Sequence, residues 1–195
     1  MKMLWPLLLL AACAAPKPVR VDVNQIVTRA QLDQVTSPLI AASLTGPGTF
    51  ATLAPVGVNG DVVTWRSADQ ITLSLKQGVI VATRGLGQDL MAADVEGTLR
   101  MIAGASEPYT RIQTYLDGEY QTQFRAFTCR TEGSAPEQIE IVEQTHQTRR
   151  IEESCFSPGT RIANTFWVDA GGTIWKSRQW IGPGLGYMET DLLVK

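Results

Sequence analysis

Few residues in this chain have the type and spacing that catalysis requires. His146 is the only histidine. No histidine-rich metal site can form around it, and any nucleophile would have to share that one base. It stands in a polar run, Glu143 to Thr148, and is read as an exposed strand residue. Cys129 and Cys155 are far apart, unlike the CxxC of a metal or redox pair. Asp89, Asp94, Asp117 and Asp169 could supply carboxylates for glycoside hydrolysis, which needs two of them about 5 to 9.5 Å apart. GxGxxG and P-loop patterns are absent. Gly182-Pro183-Gly184-Leu185-Gly186 follows a strand without opening a helix, so it is no phosphate cradle. Glu137, Glu140, Glu143, Glu152 and Glu153 beside Arg149 and Arg150 read as a solvated face. No catalytic residue, metal ligand or cofactor site is assigned.

Binding has more behind it. The run Phe166 to Gly184 holds Trp167, Trp175 and Trp180, three of five tryptophans, around the turn signal Ala170-Gly171-Gly172. Aromatic faces stack on sugar rings, and amide, carboxylate and guanidinium groups bond their hydroxyls. Trp175, Lys176, Arg178, Gln179 and Trp180 are therefore the candidate contacts for a polymer or partner. Strand alternation puts Trp175, Ser177 and Gln179 on one face and Lys176, Arg178 and Trp180 on the other. The second face suits an acidic polymer or a protein partner; the plain alternative is that both cations simply face water. Trp167 is expected in the core.

The N-terminus sets the compartment. Lys2 and the apolar stretch Leu4 to Ala12 form a secretory signal, too short to span a bilayer as a helix. Leu10-Ala11-Ala12-Cys13 resembles the bacterial lipobox, which implies signal removal before an acylated Cys13, the acyl groups including palmitate. Two or more acyl chains anchor a protein firmly. Ala14 rather than Asp after the cysteine implies the outer membrane. The domain expectation is signal peptide 1–12, lipidated cysteine and Pro-containing tether 13–24, and one β-rich, periplasm-facing domain over 25–195. The formal net charge of −2 argues against nucleic acid, which calls for a basic stripe. With Cys13 lipidated, Cys129 and Cys155 remain as an even pair in an oxidising compartment and are expected to form a disulfide.

Elements that could position these residues are mostly strands. Val27, Leu32 and Val35 allow a short helix that Ser37-Pro38 ends, and Leu39 to Leu44 reads as a strand. Phe50 to Val58 follows, placed at an edge by Pro55. Ile71, Leu73 and Leu75 alternate with Thr72, Ser74 and Lys76. Turns are expected at Asn59-Gly60, Gln77-Gly78 and Asp117-Gly118. Leu86 to Ala93 is read as a short helix, Gly133 to Pro136 as a loop, and Gln138 to Thr148 as one strand. The fold class is mostly β: a single antiparallel sheet domain, as curved sheet, half-barrel or sandwich, of about ten strands with one or two short helices.

Trp65-Arg66-Ser67-Ala68-Asp69, the hairpin at Gly78, and Thr83-Arg84-Gly85-Leu86-Gly87-Gln88-Asp89-Leu90 precede Phe166-Trp167-Val168-Asp169, Gly172, Trp175-Lys176-Ser177-Arg178-Gln179 and Gly182-Pro183. This order resembles the YjbF-like family, the group 4 capsule polysaccharide lipoproteins. Gln70 stands where the resemblance leads one to expect Gly. The family implies an outer-membrane, periplasm-facing lipoprotein for exopolysaccharide or capsule production and secretion, with no catalytic residues to carry over. The leading expectation is a non-catalytic accessory that binds exopolysaccharide or an export-machinery protein. A lipid or lipoprotein carrier with an apolar cavity and a polysaccharide-modifying enzyme are the alternatives.

Overall fold

The computed structural model describes residues 22–45, 48–116, 119 and 121–195. The signal segment, Cys13 and Asp117-Gly118 lie outside them. The described residues form β1 (Leu39–Leu44), β2 (Phe50–Asn59), β3 (Val62–Ser67), β4 (Thr72–Lys76), β5 (Val79–Arg84), β6 (Leu90–Ala93), β7 (Tyr109–Leu116), β8 (Thr122–Ile141), β9 (Gln144–Ser157), β10 (Thr160–Val168), β11 (Ile174–Gly182) and β12 (Gly186–Val194). Two short α-helices, α1 (Arg29–Leu32) and α2 (Glu96–Ile102), and a 3-10 turn at Val23–Gln25 complete them.

All twelve strands lie in one sheet, in the order β5-β4-β3-β2-β1-β12-β11-β10-β9-β8-β7-β6. Each strand except β5 neighbours its successor, and antiparallel pairing of β1 with β12 joins the chain's two halves. The order is therefore a ring with one seam, between β5 and β6, and the sheet is nearly closed and barrel-like. Twelve strands exceed the expected ten or so, because sequence reading merged or misread three of them.

β6 is one of these, expected as helix. Its residues are held in extended form at the seam by the 83–90 motif. The Asp89 carboxylate accepts from the Thr83 hydroxyl at 2.9 Å and from the N–H groups of Gly85 (2.9 Å) and Leu86 (3.2 Å). Arg84 donates to the carbonyls of Leu90 (3.1 Å) and Met91 (3.2 Å). Side chains here bridge two strands that no backbone ladder joins.

β8 and β9 account for the other two. The expected loop at Gly133–Pro136 lies inside β8, which continues past a register shift between Thr131 and Gly133. β7 pairs with β8 only as far as Cys129, so Pro136 sits on a free edge that needs no N–H. The expected single strand 138–148 is instead a hairpin. It reverses at Val142 (φ 44°) and Glu143 (φ 65°), both in the left-handed region without a Gly or Asn signal. Burial of the Val142 side chain and donation of its N–H to Asn24 Oδ1 at 2.6 Å hold that turn. Gln70 likewise takes the left-handed conformation (φ 66°) expected of a Gly there, in a turn closed by Ser67 and Ile71.

The inside of the ring is filled. Leu53, Leu73, Ile80, Leu90 and Ile181 from opposite walls are at most 2 % exposed and share one cluster. Phe166, Val168 and Ile151 form another with Met101 and Ile102 of α2. α2 approaches so closely that a Cβ on Gly97 would lie 2.1 Å from the Tyr109 ring. A further cluster sits on the outer face. Val23, Leu32, Ile139, Ile141 and Val142 cover Ala41 and Leu193, with Trp167 and Trp175 packed against them. Val23 and Asn24, read as tether, therefore belong to the folded domain.

Candidate functional site

β11 and β12 place the candidate residues in cross-strand pairs. Lys176 lies opposite Asp191, Arg178 opposite Glu189, and Trp180 opposite Tyr187. Lys176 Nζ is 3.0 Å from Asp191 Oδ1 and Arg178 Nε is 3.8 Å from Glu189 Oε1. The Arg178 guanidinium also lies 3.4 Å from the centroid of the Tyr187 ring, which Trp180 meets edge-on at 5.2 Å. The Tyr187 hydroxyl accepts from the Ala163 N–H at 3.1 Å, fixing the ring. Burial raises the Asp191 carboxyl above its ordinary range, although Lys176 opposes that shift.

Beside these pairs a cleft of about 590 Å³ opens between the 3-10 turn and the outer face of the sheet. Trp167 and Phe50 supply aromatic walls, Asn24 an amide, and Lys176, Glu189 and Asp191 charges. Its surface mixes donors, acceptors and rings, and its cation, Lys176, is already matched by a carboxylate. Asn24, Glu189, Asp191 and Tyr187 were missed by the sequence reading. Alternation in Gly186–Val194 could have offered the acids of β12, since the outward positions of β11 need cross-strand partners.

Lys176 and Arg178 share the outer face as expected, whereas Trp180 turns its ring against an inner cluster. Trp175 does not share the inner face with Ser177 and Gln179. A bulge pairs Trp167 with Lys176 and Val168 with Ile174, leaving Trp175 as the extra residue. Trp175 joins the outer cluster, stacks on His146 with ring centroids 3.8 Å apart, and donates its indole N–H to Asp169 at 2.8 Å. His146 is accordingly half-buried rather than exposed, and burial lowers its pKa. Gln179 is fully buried inside the ring, so it is no surface contact. Its amide accepts from the Ile80 N–H at 2.9 Å and donates to the Gly78 carbonyl at 3.0 Å, pinning the β4–β5 turn to β11. Trp180 is half-buried against Cys129, Cys155 and Ile162. Trp167, expected in the core, lines the cleft and donates to Glu137 at 2.9 Å.

The candidate catalytic carboxylates have other work. Asp89 holds the seam, and Asp94 caps the Glu96 N–H at 3.1 Å. Asp169 accepts from the Thr173 N–H and the Trp175 indole, both at 2.8 Å. Burial opposes it, yet these bonds hold the Asp169 pKa below its ordinary value. Glu153, read as solvated, is 1 % exposed. It takes Arg111 Nη1 at 3.2 Å, the Thr98 hydroxyl at 2.7 Å, and donors from Tyr109 and Asn164. Burial, then the Glu153 charge, drives the Tyr109 pKa far upward. Cys129 and Cys155 face each other across β8 and β9 and are joined as a disulfide. Their sulfurs and Glu153 stand within 4.8 Å, but bonded sulfurs cannot ligate a metal as thiolates.

A carrier would need a large apolar lumen, which the packed inner clusters occupy. Apolar pockets of about 280 Å³ and 340 Å³ flank that packing, near the β4–β5 and β3–β4 turns. Among the described residues no helix is long and apolar enough to cross a membrane.

Comparison with known proteins places this geometry. The crystal structure of the hypothetical lipoprotein YmcC from Escherichia coli K12 shares the fold, with a TM-score of 0.73 at 20% identity, covering 89% of each chain. No curated protein matches. The family model for the group 4 capsule polysaccharide lipoprotein gfcB, YjbF, matches residues 18–193. That match supports a role in capsule or polysaccharide production, and the chain belongs to this lipoprotein family.

Proposed function

We propose that this protein is a lipid-anchored, non-catalytic accessory of exopolysaccharide or capsule production and secretion, and that its outer cleft binds polymer or an export partner. It is anchored through Cys13 in the outer membrane and faces the periplasm. The observation that carries this reading is the cleft where Trp167, Lys176, Glu189, Asp191 and Asn24 converge. Hydroxyl-rich sugars suit paired donors and acceptors beside an aromatic wall. A polyanion suits them less, because Lys176 and Arg178 each already face a carboxylate.

Titration of the full-length protein in detergent with the cell's own exopolysaccharide tests the reading. Binding that the Lys176→Ala/Asp191→Ala double variant loses would support it; no binding of polymer and no export protein co-purifying would overturn it. The anchor is tested separately, since Cys13→Ser should leave the membrane fraction.

A further inference from the structure

Seven large apolar side chains stand exposed among the described residues, and four of them gather on the outer face of β7, β8 and β9. Arg111, Gln113 and Tyr115 of β7 are buried inside the ring, so Ile112 and Leu116 point out. On β8 the buried Phe127 and Cys129 leave Phe124, 72 % exposed, outside. On β9 the buried Glu153 and Cys155 do the same for Phe156, 53 % exposed. Ile112 pairs with Ala126 and Leu116 with Thr122, so Phe124 stands diagonal to both β7 residues, and Ala126 stands diagonal to Phe156. These side chains form one patch, unlike scattered single apolar residues, which need no explanation.

Arginines border the patch. Arg161 stands opposite Phe156 and makes no ion pair among the described residues. Arg130, two residues beyond Thr128 on β8, is paired with Glu132 at 3.3 Å, with both side chains in the open. A groove of about 390 Å³ is lined by both arginines, Phe156 and the hydroxyl side chains of Thr128 and Ser154. The face thus offers apolar surface to acyl chains, and cations and hydroxyls to phosphate headgroups.

We propose that this face lies on the membrane surface, as a second contact beside the acyl anchor at Cys13. The inference rests on that anchor, proposed above. A second copy fits less well, because four partly exposed side chains fall short of the about 800 Å² that each partner buries in a stable interface. A bilayer needs no such area, since the anchor already holds the protein beside it and makes docking intramolecular. The nine residues Cys13 to Val21 span up to about 30 Å when extended. Asp22 lies beside β12, three strand steps of about 4.8 Å from β9, so the patch is within the tether's reach of the bilayer. β8, at the centre of the patch, is four strands round the ring from β12. Docking this face therefore leaves the outer cleft open to the periplasm.

Fluorescence of the full-length lipidated protein in vesicles decides it. An acylated Cys13 and the Cys129–Cys155 bond leave no free thiol, so one added cysteine can carry an environment-sensitive nitrobenzoxadiazole label. Phe124→Cys and Phe156→Cys place it on the patch. Val58→Cys, as exposed as Phe124 and on β2, six strands round the ring from β8, is the reference. The vesicles contain phosphatidylethanolamine and phosphatidylglycerol, with or without brominated acyl chains. Both patch labels should shift to shorter wavelength on reconstitution and be quenched by the brominated chains; the Val58 label should do neither. Arg130→Gln with Arg161→Gln should reduce that quenching, as should raised salt, because screening weakens attraction to anionic headgroups. Patch labels left unshifted in protein that floats with the vesicles overturn this inference while the anchor stands. A shift without quenching means burial against a second copy, and quenching equal to that at Val58 means no preferred face; either overturns it. Protein that does not float overturns the anchor and the inference together.

Discussion

Arg111 and Glu153 meet at 3.2 Å inside the ring, and neither is more than 1 % exposed. Nη1 of Arg111 is paired there; its Nε and Nη2 have no partner among the described residues. Removing one member of such a pair leaves the other as an uncompensated buried charge. Glu153→Leu should therefore destabilise the fold by about 3–5 kcal/mol. Denaturant unfolding checks it, and an unchanged midpoint would contradict the assignment.

That pair also shows where the sequence stops being legible. Alternating Ile71, Leu73 and Leu75 announce a half-buried strand, and Asn59-Gly60 and Gln77-Gly78 announce turns, because each signal is local. Glu153 sits among Glu152, Arg149 and Arg150, so nothing local distinguishes it from solvated neighbours; only the ring brings Arg111, Thr98 and Asn164 around it. Trp175 changes face through one bulge, since a single extra residue inverts a period of two. The hairpin at Val142-Glu143 depends on Asn24, 118 residues away in sequence. The outer face of β11 was legible; the β12 carboxylates that neutralise it were not.

At the seam, Asp89→Ala removes three hydrogen bonds to Thr83, Gly85 and Leu86. A cost of about 1–3 kcal/mol is expected. Hydrogen exchange locates the effect, because the Leu90 N–H, which donates to the Thr83 hydroxyl at 3.0 Å, should lose protection first. Uniform loss across the sheet would contradict a local seam.

The Cys129–Cys155 bond closes a loop with a sequence separation of 26. Replacing both cysteines by alanine should cost about 3–4 kcal/mol on the chain-entropy model. Intact mass after alkylation without reductant should show neither residue modified in the native protein. Two alkylated cysteines in the unreduced, denatured chain would refute the bond.

Stability should fall at both ends of the pH scale. Burial lowers the His146 pKa from 6.5, so its contribution is fully present above that value and is lost as pH falls. Asp169, also lowered, adds a loss further down, below its ordinary 3.8. Burial raises the Tyr115 pKa from 10.0 to about 12, so its contribution holds below 10.0 and is lost as pH rises between the two. Thermal melts across pH should show these limbs, and His146→Phe should flatten the one near neutrality. A variant with the same limb would place its cause elsewhere.

The cleft on β11 and β12 is tested most directly by removing Lys176 and Asp191 together. Deleting both partners leaves no orphaned charge, so the Lys176→Ala/Asp191→Ala protein should stay within about 1 kcal/mol of the parent in stability and keep its abundance. Exopolysaccharide output and protein abundance are then measured in the same cells. The account predicts that output is lost while abundance is unchanged. Full output from an abundant double variant would contradict it and leave the pair as scaffold.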